Sequence, residues 1–302
     1  MNLQNKKLEP AVVALIALSA IWGYNWVVMK ECLRYAGAFD FVALRTSLGT
    51  AGLFAVLLWQ RKPLRPTEVP WTIVLGLLLT TGCLGFVTVA LVTGGVGKTA
   101  ILVYTMPFFA LVMARPILRE TLRGVQWVAV FLAFAGLMTI MEPWNLQSTT
   151  LSALLALLSG ISWAGGAVVT KIIRNRRDMD LVSLSAWQML FGSIPLALLA
   201  LTVPERPIAW SWYFAGALFY TSVIGQSLTY LLWFYVLNRL SVGMAGMGTL
   251  ATPVIGILCA SIQLGERPSA LEGTGMVLIL SALALLTGWG GRQNRGLKEA
   301  IR

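Results

Sequence analysis

The sequence predicts an all-α integral membrane protein of ten transmembrane helices, built as two inverted halves of five, with both termini on the cytoplasmic side. Three observations carry this. First, hydrophobic residues make up 57% of the 302 residues and charged residues only 12%, against roughly 25% charged in a soluble domain. Second, the charges cluster between apolar stretches of about 20 residues, the length that spans a hydrocarbon core of about 30 Å. Third, residues of uncommon type recur at fixed offsets between the two halves.

The apolar segments run approximately 11–29, 39–59, 70–93, 97–114, 122–141, 149–170, 182–203, 210–235, 242–264 and 270–289. They are too long and too unalternating for barrel strands, which leaves helices to satisfy the backbone in lipid. A short polar lead, Met1 to Pro10, precedes the first segment, which has no small-residue cleavage site and reads as a permanent helix. The breaks carry turn chemistry: Arg61-Lys62-Pro63, Gly94-Gly95-Val96-Gly97, Glu142-Pro143-Trp144-Asn145 and Pro204-Glu205-Arg206-Pro207.

Lys and Arg set the orientation. With the N-terminus inside, the cytoplasmic regions hold 17 of them, and the outer regions hold Lys30, Arg34, Lys98, Arg206 and Arg267. Arg45 remains within a span. The net charge of +11 therefore reports topology and contact with anionic lipid. No basic domain exists to carry nucleic acid.

A shift of 141 residues places Trp22 on Trp163, Val27-Val28 on Val168-Val169, and Lys30 on Lys171. A shift of 146 places Gly97 on Gly243, Pro107 on Pro253, Leu118 on Leu264 and Glu120 on Glu266. Paired Trp, Lys, Pro and Glu at fixed offsets indicate an internal repeat. With five helices per half, the second half enters from the opposite side, an architecture shared by many secondary transporters.

Several motifs resemble the drug/metabolite transporter superfamily, specifically its ten-helix EamA-like members. They are Ala20-Ile21-Trp22-Gly23 with Asn25, Leu44-Arg45, and a Pro followed thirteen residues later by Glu in each half, Pro107 to Glu120 and Pro253 to Glu266. The resemblance covers nearly the whole chain. It implies repeats over 1–146 and 147–290, a basic cytoplasmic tail over 291–302, and a multi-pass place in the bacterial inner membrane. It also implies export of amino acids, other metabolites or toxic compounds. One departure is that Ala186 stands where the second half would repeat Arg45.

A substrate path needs polar and aromatic groups facing inward at depth, where they are costly against lipid. Trp22, Asn25, Trp26 and Met29 share one helical face, and Asn25 could bind substrate or a neighbouring helix. Ser222, Gln226, Tyr230 and Trp233 share another. Gln226 and Tyr230 are deep enough to line a cavity, and Trp233 suits an interfacial anchor. Trp163, repeat partner of Trp22, precedes the small run Ala164-Gly165-Gly166-Ala167, and Tyr104 lies one turn before Pro107. The substrate-binding set is thus Trp22, Asn25, Trp26, Tyr104, Trp163, Gln226 and Tyr230.

Pro107 and Pro253 each free a backbone carbonyl and can bend a helix, as static shape or as a hinge. Glu120 and Glu266, before helices five and ten, suit helix N-termini and gate locking. Arg45 could hold a substrate carboxylate or cap helix ends near the outer mouth, and the nearby Asp40 favours the structural role.

Cys32, Cys83 and Cys259 lack CxxC spacing, and no histidine occurs. A disulfide framework, a metal site and a general base are not expected, nor is any cofactor. With no histidine and no mid-span acid, an intramembrane enzyme lacks its parts, and uniport or weakly coupled exchange is the expected transport mode. Aromatic and neutral polar groups suit amphipathic molecules, best amino acids including aromatic and hydrophobic ones. Cationic drugs, other metabolites and lipids remain alternatives. The partners expected are a small-molecule substrate and the bilayer, with no nucleic acid, and a monomer is compatible with the sequence.

Overall fold

The computed structural model describes residues 3–106, 108–110, 112–113, 124–141, 149–176, 180–237, 251–271, 273–282 and 284–285. Among them the regular elements are all helical. In the first half, α1 is Leu3–Cys32, α2 Ala38–Trp59, α3 Val69–Thr93, α4 opens with Val96–Val103, and α5 is Gly124–Met141. In the second, α6 is Thr149–Arg176, α7 Leu181–Thr202, α8 spans 212–237, α9 is Ala251–Gln263 and α10 Gly273–Ala282. Among the described residues five helices are long and apolar enough to cross a membrane: Val13–Cys32, Ala38–Trp59, Val69–Thr93, Leu151–Ile173 and Leu181–Thr202. Pro107, Glu120 and residues 242–250 of the ninth predicted segment lie outside the described residues.

Side chains are distributed as a bilayer demands. Ile262, Leu201, Phe131 and Leu151 stand exposed, a pattern that would aggregate in water but faces acyl chains in lipid. The interior holds Asn25, Arg45, Gln188, Gln226 and a dozen or more buried serines and threonines, which need partners inside the bundle.

α3 and α8 share an irregularity. Each widens at its centre into a π-helical segment, Leu77–Leu84 in α3 and Tyr220–Leu228 in α8. The packing is reciprocal as well. α3 lies against α6 and α7, while α8 lies against α1 and α2; α4 packs on α6, while α9 packs on α1. The most extensive pair is α2 with α7, which run antiparallel because each end of one meets the opposite end of the other.

Those ends are fastened by charge. At the start of α2, Glu205 accepts from the backbone N–H groups of Ala38, Phe39 and Asp40 at 2.8, 2.9 and 3.0 Å. Only glycine fits beside it, since a Cβ on Gly37 would fall 2.1 Å from a Glu205 oxygen. Arg206 donates to the carbonyls of Leu33 and Ala36, and Ala209 N–H donates to Tyr35 O at 2.8 Å. At the other end, Lys62 pairs with Asp180, which also caps α7 by accepting from Ser183 N–H at 2.9 Å. Partial burial raises the Asp180 carboxyl, but the Lys62 hydrogen bond and charge, with the Ser183 and Val182 amides, outweigh it and hold Asp180 below the usual carboxylate range.

Glu205→Ala would leave three helix-start donors without their charged acceptor. The expected cost is about 1–3 kcal/mol, read as a lower unfolding midpoint in detergent. An unchanged midpoint would mean that water replaces the carboxylate without loss.

Candidate functional site

The two π segments are gripped by the first two helices of the opposite half. Around the α3 segment, Thr80 Oγ1 donates to Gln188 Oε1 at 3.1 Å and Thr81 Oγ1 to Gly192 O at 2.7 Å, both on α7. Ser159 of α6 donates to Cys83 O at 2.8 Å. Backbones touch here, because a Cβ on Gly192 would lie 2.2 Å from Gly76 O. These small hydroxyls and glycines allow close approach and satisfy the loosened helix.

Around the α8 segment the partners are larger and less satisfied. Ser227 Oγ donates to Gly49 O of α2 at 3.0 Å, and Tyr220 OH to Ile21 O of α1 at 3.1 Å. Gln226 faces Gly49, and its Nε2 meets Met189 Sδ at 3.1 Å. Asn25 Oδ1 lies against Gly225, where a Cβ would sit 2.4 Å away, and Asn25 Nδ2 meets Met29 Sδ at 3.3 Å. Arg45 Nε donates to Thr221 O at 3.5 Å. Three polar atoms of this cluster are buried without a partner among the described residues: Asn25 Oδ1, Arg45 Nη1 and Gln226 Oε1. Trp187 Nε1 also has no partner among the described residues, and its ring packs against Phe54 and Phe191.

Arg45 sits between the two segments, within electrostatic reach of Cys83 on α3, Tyr230 on α8 and Cys32 on α1. Tyr104 in turn lies within reach of Cys83 and packs edge-on to Trp163 at 5.8 Å and 78°. α4 is interrupted at Tyr104–Thr105. Phe108 N–H then restarts the helix on Thr105 O at 3.0 Å. The interruption precedes the proline anticipated to bend this helix, and such broken helices line binding sites in transporters.

Of the anticipated substrate-binding residues, the structure sets Asn25 and Gln226 side by side at the α8 segment with Arg45, and Tyr230 within electrostatic reach of Arg45. Tyr104 and Trp163 form a separate pair within reach of Cys83. The structure brings Trp22 to neither. That ring packs on Trp233 at 6.2 Å in a separate cluster with Ala14, Leu15, Leu18 and Val236. Trp26 lies against Gly256 of α9. Pro253 is buried in the first turn of the described part of α9.

Glu266 precedes α10, but its carboxylate faces α4, where Gly97 N–H donates to it at 3.4 Å. Lys30, within its electrostatic range, donates to the carbonyls of Leu91, Val92 and Gly94 that end α3. A cleft of about 560 Å³ beside Glu205 and Arg206 is lined by Leu33, Arg34, Ala36, Gly37, Ala38 and Val92. Its charged groups Glu205 and Arg206 are engaged by the backbone ends of α1 and α2.

Sequence reasoning missed Cys83, Thr80, Thr221 and Ser159. The available signal was a run of hydroxyls and glycines at mid-span, Thr80-Thr81-Gly82 in α3 and Thr221-Ser222 with Gly225 and Ser227 in α8. Chemically, the centre offers a guanidinium, two amides, two phenols, an indole and the Cys83 thiol, a set suited to holding an amphipathic molecule. Among the described residues no group of His, Cys, Asp and Glu is placed to hold a metal.

The sequence pattern of the EamA-like transporter family matches residues 9–141 and again 150–288. The uncharacterized transporter YoaV of Bacillus subtilis is 28% identical over 91% of this chain and 96% of its own. The uncharacterized inner membrane transporter YedA of Escherichia coli K12 is 28% identical over 93% and 92%. A probable amino-acid metabolite efflux pump of Salmonella typhimurium is 26% identical over 87% and 90%. One solved crystal structure, 17% identical, superposes with a TM-score of 0.67 over 94% of this chain and 99% of that one, a likeness of fold.

Proposed function

Because the chain belongs to the EamA-like transporter family, with the family domain present twice, we propose that it exports small amphipathic metabolites by alternating access through the centre between its two halves. It is a multi-pass protein of the inner membrane. Amino acids, including aromatic and hydrophobic ones, fit the centre best. The observation that carries this reading is the set of unmet polar atoms of Asn25, Arg45 and Gln226 against the α8 π segment, with Tyr230 within reach of Arg45 and the Tyr104–Trp163 pair within reach of Cys83 on the α3 segment. An apolar body can rest on the rings while the amides and guanidinium hold a polar head.

Ten spans in two inverted repeats, with both termini cytoplasmic, remain our reading of the topology. The antiparallel α2–α7 pair, the reciprocal packing of α3 and α8, and the Lys/Arg bias support it. Relatives named as transporters support a non-enzymatic role.

The test is counterflow of a panel of radiolabelled amino acids into proteoliposomes loaded with the same unlabelled compound. Saturable uptake, competed by large apolar amino acids and kept when the proton gradient is collapsed, is the expected result. No uptake of any amino acid by well-folded protein would overturn the substrate class and turn attention to lipids and cationic drugs.

A further inference from the structure

We propose that Arg45 is the anchor for a carboxylate on the transported molecule, and that the amide oxygens of Asn25 and Gln226 receive its ammonium group. The centre would then select amphipathic amino acids over amphipathic cations. This inference rests on the central-site reading above and adds to it the residues that set specificity.

The first ground is an unmet charge. Arg45 is 4% exposed, its one hydrogen bond among the described residues is the 3.5 Å contact to Thr221 O, and Nη1 has no partner. The groups within its electrostatic reach are two thiols and a phenol, neutral at pH 7 with ordinary pKa values of about 8.5 and 10. No described carboxylate pairs with it; the described ion pairs are Arg34–Glu31 and Lys62–Asp180. A buried guanidinium without a countercharge is costly, and a fork of N–H donors matches a carboxylate in shape and sign.

The second ground is the sign of the neighbouring unmet atoms. Asn25 Oδ1 and Gln226 Oε1 are acceptors lacking donors, while the nitrogens of both amides rest on methionine sulfurs, which are weak acceptors. Arg45 and Gln226 are one turn apart along the α2–α8 interface, since Arg45 meets Thr221 and Gly49, four residues on, meets Gln226. Asn25 meets Gly225 beside Gln226. An unpaired cationic donor near two unpaired acceptors is the complement of a zwitterion.

The third ground is the twin locus in the other half. Setting the two π segments in register places Gln226 on Cys83, and the repeat offset places Arg45 on Ala186 and Asn25 on Gly166. There the π segment is held by Thr80 on Gln188, Thr81 on Gly192 and Ser159 on Cys83. Hydroxyls and one amide, its oxygen satisfied by Thr80, therefore suffice to support such a segment. The guanidinium and the two amides with unmet oxygens around α8 exceed that need.

The test uses the full-length protein in detergent, with three probes read by tryptophan fluorescence: L-phenylalanine, its methyl ester and 3-phenylpropionate. Wild type should bind phenylalanine at least about tenfold tighter than the ester, which lacks the carboxylate charge. Arg45→Met should lose that preference, keep its affinity for the ester within about twofold, and unfold at the same temperature as wild type or higher, because an unpaired buried charge is removed. Gln226→Leu should lose the preference for phenylalanine over 3-phenylpropionate.

Equal binding of phenylalanine and its ester by wild type would overturn the role of Arg45 and leave the central site standing. A lower melting point of Arg45→Met with equal weakening of all three probes would make Arg45 a structural cap, overturning the proposal. Failure of all three probes to bind wild type would overturn both this inference and the amino-acid reading beneath it.

Discussion

Trp163→Ala is expected to lower transport of large apolar amino acids at least tenfold. The indole on α6 packs edge-on to Tyr104 at 5.8 Å, and Tyr104 sits where α4 is interrupted, so the pair joins the two halves within reach of Cys83. An aromatic side chain brings 150–250 Å² of contact and about 0.5–1.5 kcal/mol of ring–ring attraction beyond area burial. For a substrate lying on these rings, the loss exceeds the 1.4 kcal/mol that corresponds to tenfold. Trp163→Phe keeps a ring against Tyr104 and should transport within about threefold of wild type by the same reasoning. Trp212→Ala serves as the control, since that ring is 95% exposed at the start of α8. Proteoliposome counterflow reads all three. A Trp163→Ala protein that folds and transports normally would remove the aromatic half of the site.

Gly192→Val is the substitution expected to cost the most stability. A Cβ at this position would lie 2.2 Å from Gly76 O and 2.5 Å from Thr80 Cβ, and a Cβ on Gly76 would in turn lie 2.3 Å from Gln188 O. Both neighbours are held by the helix backbone, so no flexible side-chain end can swing away. α3 and α7 would have to separate, breaking the Thr80–Gln188 and Thr81–Gly192 hydrogen bonds together. The combined strain and lost bonding exceed about 4 kcal/mol, the range at which single substitutions prevent folding. Fluorescence-detected size exclusion should find little monodisperse protein. Gly216→Ala, with open space around it, should elute as wild type. Normal elution of Gly192→Val would contradict the close α3–α7 crossing.

Much of this architecture was legible because lipid allows few choices. Apolar segments became helices: the third predicted segment, 70–93, is α3 at Val69–Thr93, and the seventh, 182–203, is α7 at Leu181–Thr202. Asn25, Gln226 and Tyr230 stood out because amides and phenols are costly at depth; the two amides are buried and Tyr230 is half-buried. The π segments were hidden because helical-face reasoning assumes 3.6 residues per turn. An i→i+5 segment depends on tertiary partners, here hydroxyls and glycines contributed from the other half of the chain.

The same non-locality concealed the fastenings. Glu205 reads as part of a turn, and its three hydrogen bonds go to residues far away in the sequence. Glu266 was expected to serve the helix it precedes, yet it faces the start of α4. Trp22 and Trp163 are repeat partners with different surroundings, because Trp233 packs on the first and Tyr104 on the second. Symmetry in sequence did not carry over to symmetry in packing.

The central claim is that the space between the two π segments is where substrate binds. Cys83 reports on it directly, lying in the α3 segment within reach of Arg45, Tyr104 and Tyr230. With Cys32 and Cys259 replaced by alanine, the rate of Cys83 alkylation by N-ethylmaleimide in membranes should fall several-fold in saturating L-phenylalanine and stay unchanged in glycerol. Alkylation at one rate with and without phenylalanine, in protein that transports it, would place the substrate elsewhere and contradict the account.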